Sequence, residues 1–240
     1  MIVQACLNGA RKPGFHPALP LSPDDVVRAG VASVAAGAAE LHVHPRGPDG
    51  LESLAPEAIE ATIRALRARL PGTAVGVSTG AWIERDVART RALIGAWRTR
   101  PDYASVNLAE PDAPAVIGLL LEQGIGVEAG LATRADGERL AGLGVAPRML
   151  RLLVEIRQPA MEAAMAEADA LLEIVGGMGR PILLHAFDDQ MWPFIARAAA
   201  DGYSTRVGLE DGAQLPDGTP APDNAALVAA ACAMMRPRMI

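Results

Sequence analysis

The segment His42-Val43-His44 carries the sharpest chemical signal in the sequence. On a β-strand, residues i and i+2 project to one side, so both imidazoles would enter one space. Two ring nitrogens side by side are what a divalent metal takes from a pair of nitrogen ligands. The chain has four histidines, His16, His42, His44 and His185, so this pairing concentrates a scarce residue. A third ligand must come from elsewhere, and Glu210 is the best candidate. A carboxylate placed directly after a buried apolar run needs solvent, an ion pair or a metal. Asp211 follows it, so one carboxylate can bind metal while the other moves a proton. Arg206, a little upstream in the same segment, can hold an anion or orient Asp211.

The other polar groups suited to chemistry also stand at the ends of short apolar runs. They are Ser78-Thr79-Gly80, Asn107 with Glu110, Glu128, Glu155 with Arg157, and His185 with Asp188. The runs themselves predict strands at Ile2–Leu7, Ala39–His44, Ala74–Ser78, Tyr103–Asn107, Gly126–Gly130, Met149–Glu155, Ile182–His185 and Ser204–Gly208. Each is short and mostly aliphatic, as strands of a parallel sheet buried on both faces are. Between them the spacing predicts helices near 23–36, 54–70, 84–98, 113–123, 133–142, 159–175, 188–201 and 222–236. Ser22-Pro23-Asp24-Asp25 marks a helix start with an N-cap serine, a first-turn proline and acids at the positive end of the dipole. Gly37, Gly124, Gly142 and Gly202 mark stops.

Eight β-α units in 240 residues match a (β/α)8 barrel forming one domain over residues 1–240. A doubly wound open sheet is the alternative, but Leu7-Asn8-Gly9-Ala10-Arg11 is not the glycine-rich phosphate turn such a sheet commonly carries after its first strand. Gly176-Gly177-Met178-Gly179 precedes the seventh strand, at the bottom of a barrel, and reads as a helix stop. In a barrel, catalytic groups sit where strands run into the following loops, which is where the polar residues gather. An amidohydrolase also begins with His-x-His, but on strand one, and needs histidines after strands five and six. Those are absent here.

Composition excludes several functions. The 22 basic and 28 acidic residues give a net charge of -6, which argues against a nucleic-acid groove. Lys12 is the sole lysine and falls in a Gly/Pro-rich loop, which argues strongly against catalysis through a buried imine-forming lysine. Cys6 and Cys232 form no motif and read as reduced, small hydrophobes. With no signal-peptide pattern and no apolar run of membrane-spanning length, the expectation is a soluble, cytoplasmic protein that binds neither nucleic acid nor membrane.

The segments ACLNGARKPGFHPALPLSPDD, GAAELHVHPRGPDG, VSTGAW, YASVNLAEPD and TRVGLEDG together resemble the β-keto acid cleavage enzymes, whose named member is the 3-keto-5-aminohexanoate cleavage enzyme. The likeness runs in order over nearly the whole chain, and HVHPR combined with RVGLED is specific. It implies a zinc-dependent (β/α)8 barrel that condenses a β-keto acid with acetyl-CoA, giving acetoacetate and a new acyl-CoA. It further implies that His42, His44 and Glu210 bind the zinc, that Asp211 and Arg206 form the acid–base and carboxylate-handling pair, and that Ser78 contacts substrate. It suggests a homo-oligomer, a tetramer. Where the named member has a glutamate suited to a substrate ammonium, this chain has Arg11, and Asn107 stands where that enzyme has a threonine. Both bear on the substrate pocket and imply a β-keto acid other than 3-keto-5-aminohexanoate. Arg148, Arg151 and Arg157 are charge candidates for a CoA site. The rival readings are a zinc-assisted C–C lyase or hydrolase that does not use CoA, and a non-catalytic barrel scaffold. Trp82 could line the pocket, His16 reads as a surface histidine, and His185 could support the site from behind.

Overall fold

A computed structural model describes residues 1–236. Strands and helices alternate along the chain: β1 (Val3–Cys6), α1 (Pro23–Ala35), β2 (Glu40–Val43), α2 (Pro56–Arg69), β3 (Ala74–Ser78), α3 (Val87–Gly95), β4 (Tyr103–Asn107) and α4 (Ala113–Glu122). The second half repeats the rhythm with β5 (Gly126–Leu131), α5 (Arg134–Leu143), β6 (Arg151–Ile156), α6 (Met161–Val175), β7 (Ile182–Ala186), α7 (Met191–Asp201), β8 (Thr205–Val207) and α8 (Asn224–Met235). All eight strands are parallel, in the order β7-β6-β5-β4-β3-β2-β1-β8. The ends of that series meet through a parallel bridge between Leu183 and Ser204. The fold is therefore the expected (β/α)8 barrel, nearly closed.

The strand positions agree with the hydrophobic pattern to within two residues. The third helix is shorter than its periodicity predicts, because Asp86 caps it by accepting from the Arg89 backbone N–H at 2.6 Å and Glu84 is taken up outside it. Ser22 and Asp25 form the expected capping box at α1. Gly176–Met178 is a single 3₁₀ turn after α6, ended by Gly179 at φ +66°, as a helix stop requires.

Alternation along each strand separates two environments. Leu41, Val43, Val75, Val77, Ala104, Val106, Val127, Ala129, Leu152, Val154 and Leu184 belong to the apolar core shared with the helices. The alternate positions, Gln4, Glu40, His42, Tyr103, Glu128, Arg151, Glu155, His185 and Arg206, are polar and buried. In the lower part of this interior Gln4 Nε2 donates to Glu40, Tyr103 and Glu128, while Arg151 pairs with Glu40 at 2.6 Å and Glu128 at 3.1 Å. Tyr103 fits because β3 offers Gly76 beside it: a Cβ there would stand 2.0 Å from the Tyr103 ring. The network gives the barrel a polar centre whose groups hold one another.

Candidate active site and metal centre

His42 and His44 rise from the end of β2 on one face, and their Nε2 atoms approach to 3.2 Å. His44 lies one residue past the strand, and Asn8 holds it in strand-like register. The Asn8 Oδ1 accepts from the His44 N–H at 2.9 Å, and its Nδ2 donates to the His44 carbonyl at 3.0 Å. Glu52 then fixes the ring, with Oε1 2.5 Å from His44 Nδ1. A carboxylate on the far nitrogen sets the tautomer and leaves Nε2 free to act as a ligand. Trp82 stacks on the same ring at 6.4 Å and 22°, its indole N–H donating to Glu52.

Glu210 comes from the turn after β8 and completes a cluster. Its Oε1 lies 3.6 Å from His44 Nε2 and its Oε2 3.9 Å from His42 Nε2. This approach requires Gly9, at φ +53°, because a Cβ there would stand 2.4 Å from Glu210 Cγ. One ligand atom from each of His42, His44 and Glu210 falls within 4.8 Å of the others. Tetrahedral coordination at about 2.0–2.2 Å places donor atoms roughly 3.3–3.6 Å apart, so the set closes on an ion with small adjustments. Among the described residues Glu210 Oε2 is buried without a hydrogen-bond partner, which suits an atom meant for a cation. Two imidazoles and a carboxylate, with the remaining side open to a cavity, fit zinc or a similar divalent transition metal.

Electrostatics divide the two histidines. Burial is the largest influence on His42 and holds it down to about 3, a neutral donor. Burial also pushes His44 down, but Glu210 and Glu52 outweigh it and raise the ring to about 9. A metal held there would take the place of that proton. Burial opposes ionisation of Glu210 as well, yet Arg206 and the two histidines hold its carboxyl well below the usual range.

Arg206 is the hub behind the cluster. Its Nη2 donates to Glu210 Oε1 at 2.5 Å and Asp211 Oδ1 at 2.7 Å, and its Nε donates to the same Asp211 oxygen at 3.1 Å. His185 bridges the next pair of acids, with Nδ1 3.6 Å from Asp211 Oδ1 and Nε2 3.2 Å from Glu155 Oε2. Burial raises Asp211 above the ordinary carboxylate value despite Arg206 and His185. Its Oδ2 has no hydrogen-bond partner among the described residues.

A cavity of about 680 Å³ opens above these groups. Of the site residues expected from the sequence, His42, His44, Glu210, Arg206, Ser78, Asn107 and Arg11 all line it. Asp211 stands behind Arg206, fully buried and outside the lining. Arg11 reaches across the mouth to Asp188 at 2.8 Å and donates to the Glu210 carbonyl at 3.0 Å. Ser105, in register with Ser78 on the neighbouring strand, joins the lining. The i, i+2 spacing of Ser105 and Asn107 could have revealed it. Asn8 and Glu52 carry no sequence signal, since both act through contacts between segments distant in sequence. Trp82 lines the cavity. His16 does not: it ties the β1–α1 loop to the Ala221 carbonyl at 2.9 Å. Glu128 and Arg151 pair in the lower barrel, and Arg148 closes a 3₁₀ turn before β6, so neither arginine faces the mouth.

A sequence profile of the beta-keto acid cleavage enzymes matches residues 1–116 and 128–238. No curated protein sequence matches the chain. Among solved structures, ObcA in a ternary complex with a C4-CoA adduct and oxalate superposes with a TM-score of 0.72 at 18% identity, covering 89% of this chain and 62% of that one. ObcA with oxaloacetate gives a TM-score of 0.68 at 17% identity, with the same coverage of 89% and 62%. The chain thus spans about three fifths of ObcA's length. The 3-dehydroquinate dehydratase of Geobacillus kaustophilus HTA426 gives 0.65 at 14% identity, covering 98% and 89% of the two chains. At these identities the structural likeness shows the barrel alone. Among the described residues no helix is long and apolar enough to cross a membrane.

Proposed function

The chain belongs to the β-keto acid cleavage enzymes, and we propose that it uses zinc to condense a β-keto acid with acetyl-CoA, giving acetoacetate and a new acyl-CoA. The observation that carries this reading is the cluster of His42, His44 and Glu210 beside the Arg206–Asp211 pair, under an open cavity. The exchange conserves all atoms: the carboxymethyl fragment of the keto acid joins the acetyl group as acetoacetate, and the remaining acyl group passes to the CoA sulfur.

His42, His44 and Glu210 would hold the zinc, which would supply Lewis-acid polarisation of the keto oxygen. The proton on the carbon between keto and carboxylate groups leaves through the Arg206–Asp211 pair, with Arg206 at the cavity and Asp211 buried behind it, and returns to the acetoacetate formed. The raised proton affinity of Asp211, whose Oδ2 has no partner among the described residues, suits it to hold that proton behind Arg206. Arg206 holds Asp211 by Oδ1 and presents positive charge to the cavity. Ser78 and Asn107, on β3 and β4, bind the substrate carboxylate through a hydroxyl and an amide. Arg11 at the rim disfavours an ammonium, so 3-keto-5-aminohexanoate is not the substrate under this reading. No lysine takes part, in keeping with the composition.

The test is turnover by zinc-loaded enzyme on a panel of β-keto acids, with acetoacetate and acyl-CoA measured with and without acetyl-CoA. The expected result is product that depends on both acetyl-CoA and metal. Cleavage without acetyl-CoA moves the assignment to a CoA-independent zinc lyase or hydrolase. Absence of both turnover and metal binding leaves a non-catalytic barrel.

A further inference from the structure

Three arginines line the cavity, and they are not equivalent. Arg206 is 2% exposed and committed to Glu210 and Asp211. Arg11 is committed at the rim: Nε donates to the Glu210 carbonyl, and Nη2 to Asp188 Oδ1 and the Asp211 carbonyl. Arg11 is also stacked over the Phe15 ring at 4.3 Å, and with three acceptors and a side chain 26% exposed it is the more tightly held of the two rim arginines. Arg157 differs. Its side chain is 58% exposed, and its protein contacts go through Nε and Nη2 to one oxygen of Glu155, at 2.8 Å for Nε. That carboxylate is already shared with His185 through its other oxygen. Nη1 of Arg157 makes no hydrogen bond within the protein among the described residues.

The guanidinium is also held in place for a ligand. Its Cζ lies 4.8 Å from the centre of the Phe187 ring, and Phe187 in turn packs edge-on against the buried His185 at 5.0 Å. A stacked guanidinium fixed on one edge presents its other edge as a directed donor. The lining on this side mixes apolar Leu153, Ile156 and Pro159 with polar Gln158 and Gln190 and the rim acids Asp188 and Asp189, and its apolar part accommodates a short hydrocarbon stem leading to an anionic end.

We propose that Arg157 anchors a second carboxylate at the far end of the β-keto acid, so that the preferred substrates are β-keto dicarboxylates. The inference rests on the proposed reaction and assigns its substrate class. Position favours the substrate's own carboxylate over a phosphate of the thioester. Arg157 sits one carboxylate, Glu155, away from Arg206, within reach of a short acid. The nucleotide phosphates of CoA lie at the far end of its pantetheine arm.

The experiment compares 3-oxohexanoate with its dicarboxylate counterpart, 3-oxohexanedioate, on wild type and Arg157→Gln at saturating acetyl-CoA. Binding of each acid without acetyl-CoA is measured in parallel by calorimetry. A charge-assisted hydrogen bond is worth about 1.5–3 kcal/mol, or roughly ten- to a hundredfold. Wild type is expected to prefer the diacid, and Arg157→Gln to cut the ratio of kcat/KM for diacid over monoacid by about tenfold or more. Arg157→Lys should recover part of that ratio, keeping the charge without the planar fork. An unchanged ratio, or a rise in KM confined to acetyl-CoA, overturns the proposal. Should wild type turn over neither acid, the reaction assignment fails. Tighter binding of diacid than monoacid, lost in Arg157→Gln, would still support the anion site, and equal binding of the two would overturn it.

Discussion

His42 Nε2 and His44 Nε2 face each other at 3.2 Å, both on side chains at most 3% exposed, with the Glu210 carboxylate across the gap. Two ring nitrogens this close, beside a buried carboxylate oxygen with no partner among the described residues, form a set that could hold a metal ion. Purified protein should therefore carry a divalent transition metal in stoichiometric amount by elemental analysis. Chelation should abolish activity and lower Tm, with zinc restoring both. His42→Ala should lose the metal, while Glu52→Gln, which alters the support of His44 and of the Trp82 stacked on it, should weaken affinity by about 10–100-fold. A His42→Ala protein with full metal content would refute the assignment.

Asp211→Asn keeps the shape of the buried side chain and removes its capacity to accept a proton. If Asp211 is the acceptor, kcat should fall by about 10²–10⁴ while KM changes little. A loss confined to KM would instead mark Asp211 as a residue that only orients Arg206.

Glu155 provides a pH signature in stability. Burial opposes its charge, but His185, Arg206 and Arg157 overcome burial and lower it to about 2, against an ordinary value of 4.5. A carboxyl group depressed in the folded state contributes stability that is fully present above its unfolded pKa. That contribution is lost as pH falls from 4.5 towards 2. Denaturant unfolding should show wild type losing its advantage over Glu155→Gln across that window. Parallel curves for the two proteins would contradict the ion-pair geometry.

The lower barrel can be tested through Gly76, where an added methyl would meet the Tyr103 ring at 2.0 Å. Gly76→Ala should cost about 1–3 kcal/mol of unfolding free energy. Combining it with Tyr103→Leu should cost less than the two separate losses together, since the smaller side chain removes the clash. Strict additivity would mean that the two residues do not compete for this space.

The eight-fold alternation of apolar runs and amphipathic segments was legible from the sequence because period and burial are local properties. A strand flanked by helices has to be apolar on its outer face wherever it sits. The His42-x-His44 spacing belongs to the same class, since a two-residue repeat on a strand fixes a common direction. Glu210, Asp211 and Arg206 could be nominated because charges beside a buried run need a partner. What the chain order could not contain is which partner each would find. Asn8 clamping His44, Glu52 fixing its ring, and Gly9 clearing space for Glu210 follow from barrel closure, which brings β1, β2 and β8 edge to edge. Likewise, Arg148, Arg151 and Arg157 are alike as sequence. Only the direction and depth of β6 put Arg148 at one end, Arg151 in a buried ion pair and Arg157 in the mouth, held by Glu155 on one edge and exposed on the other.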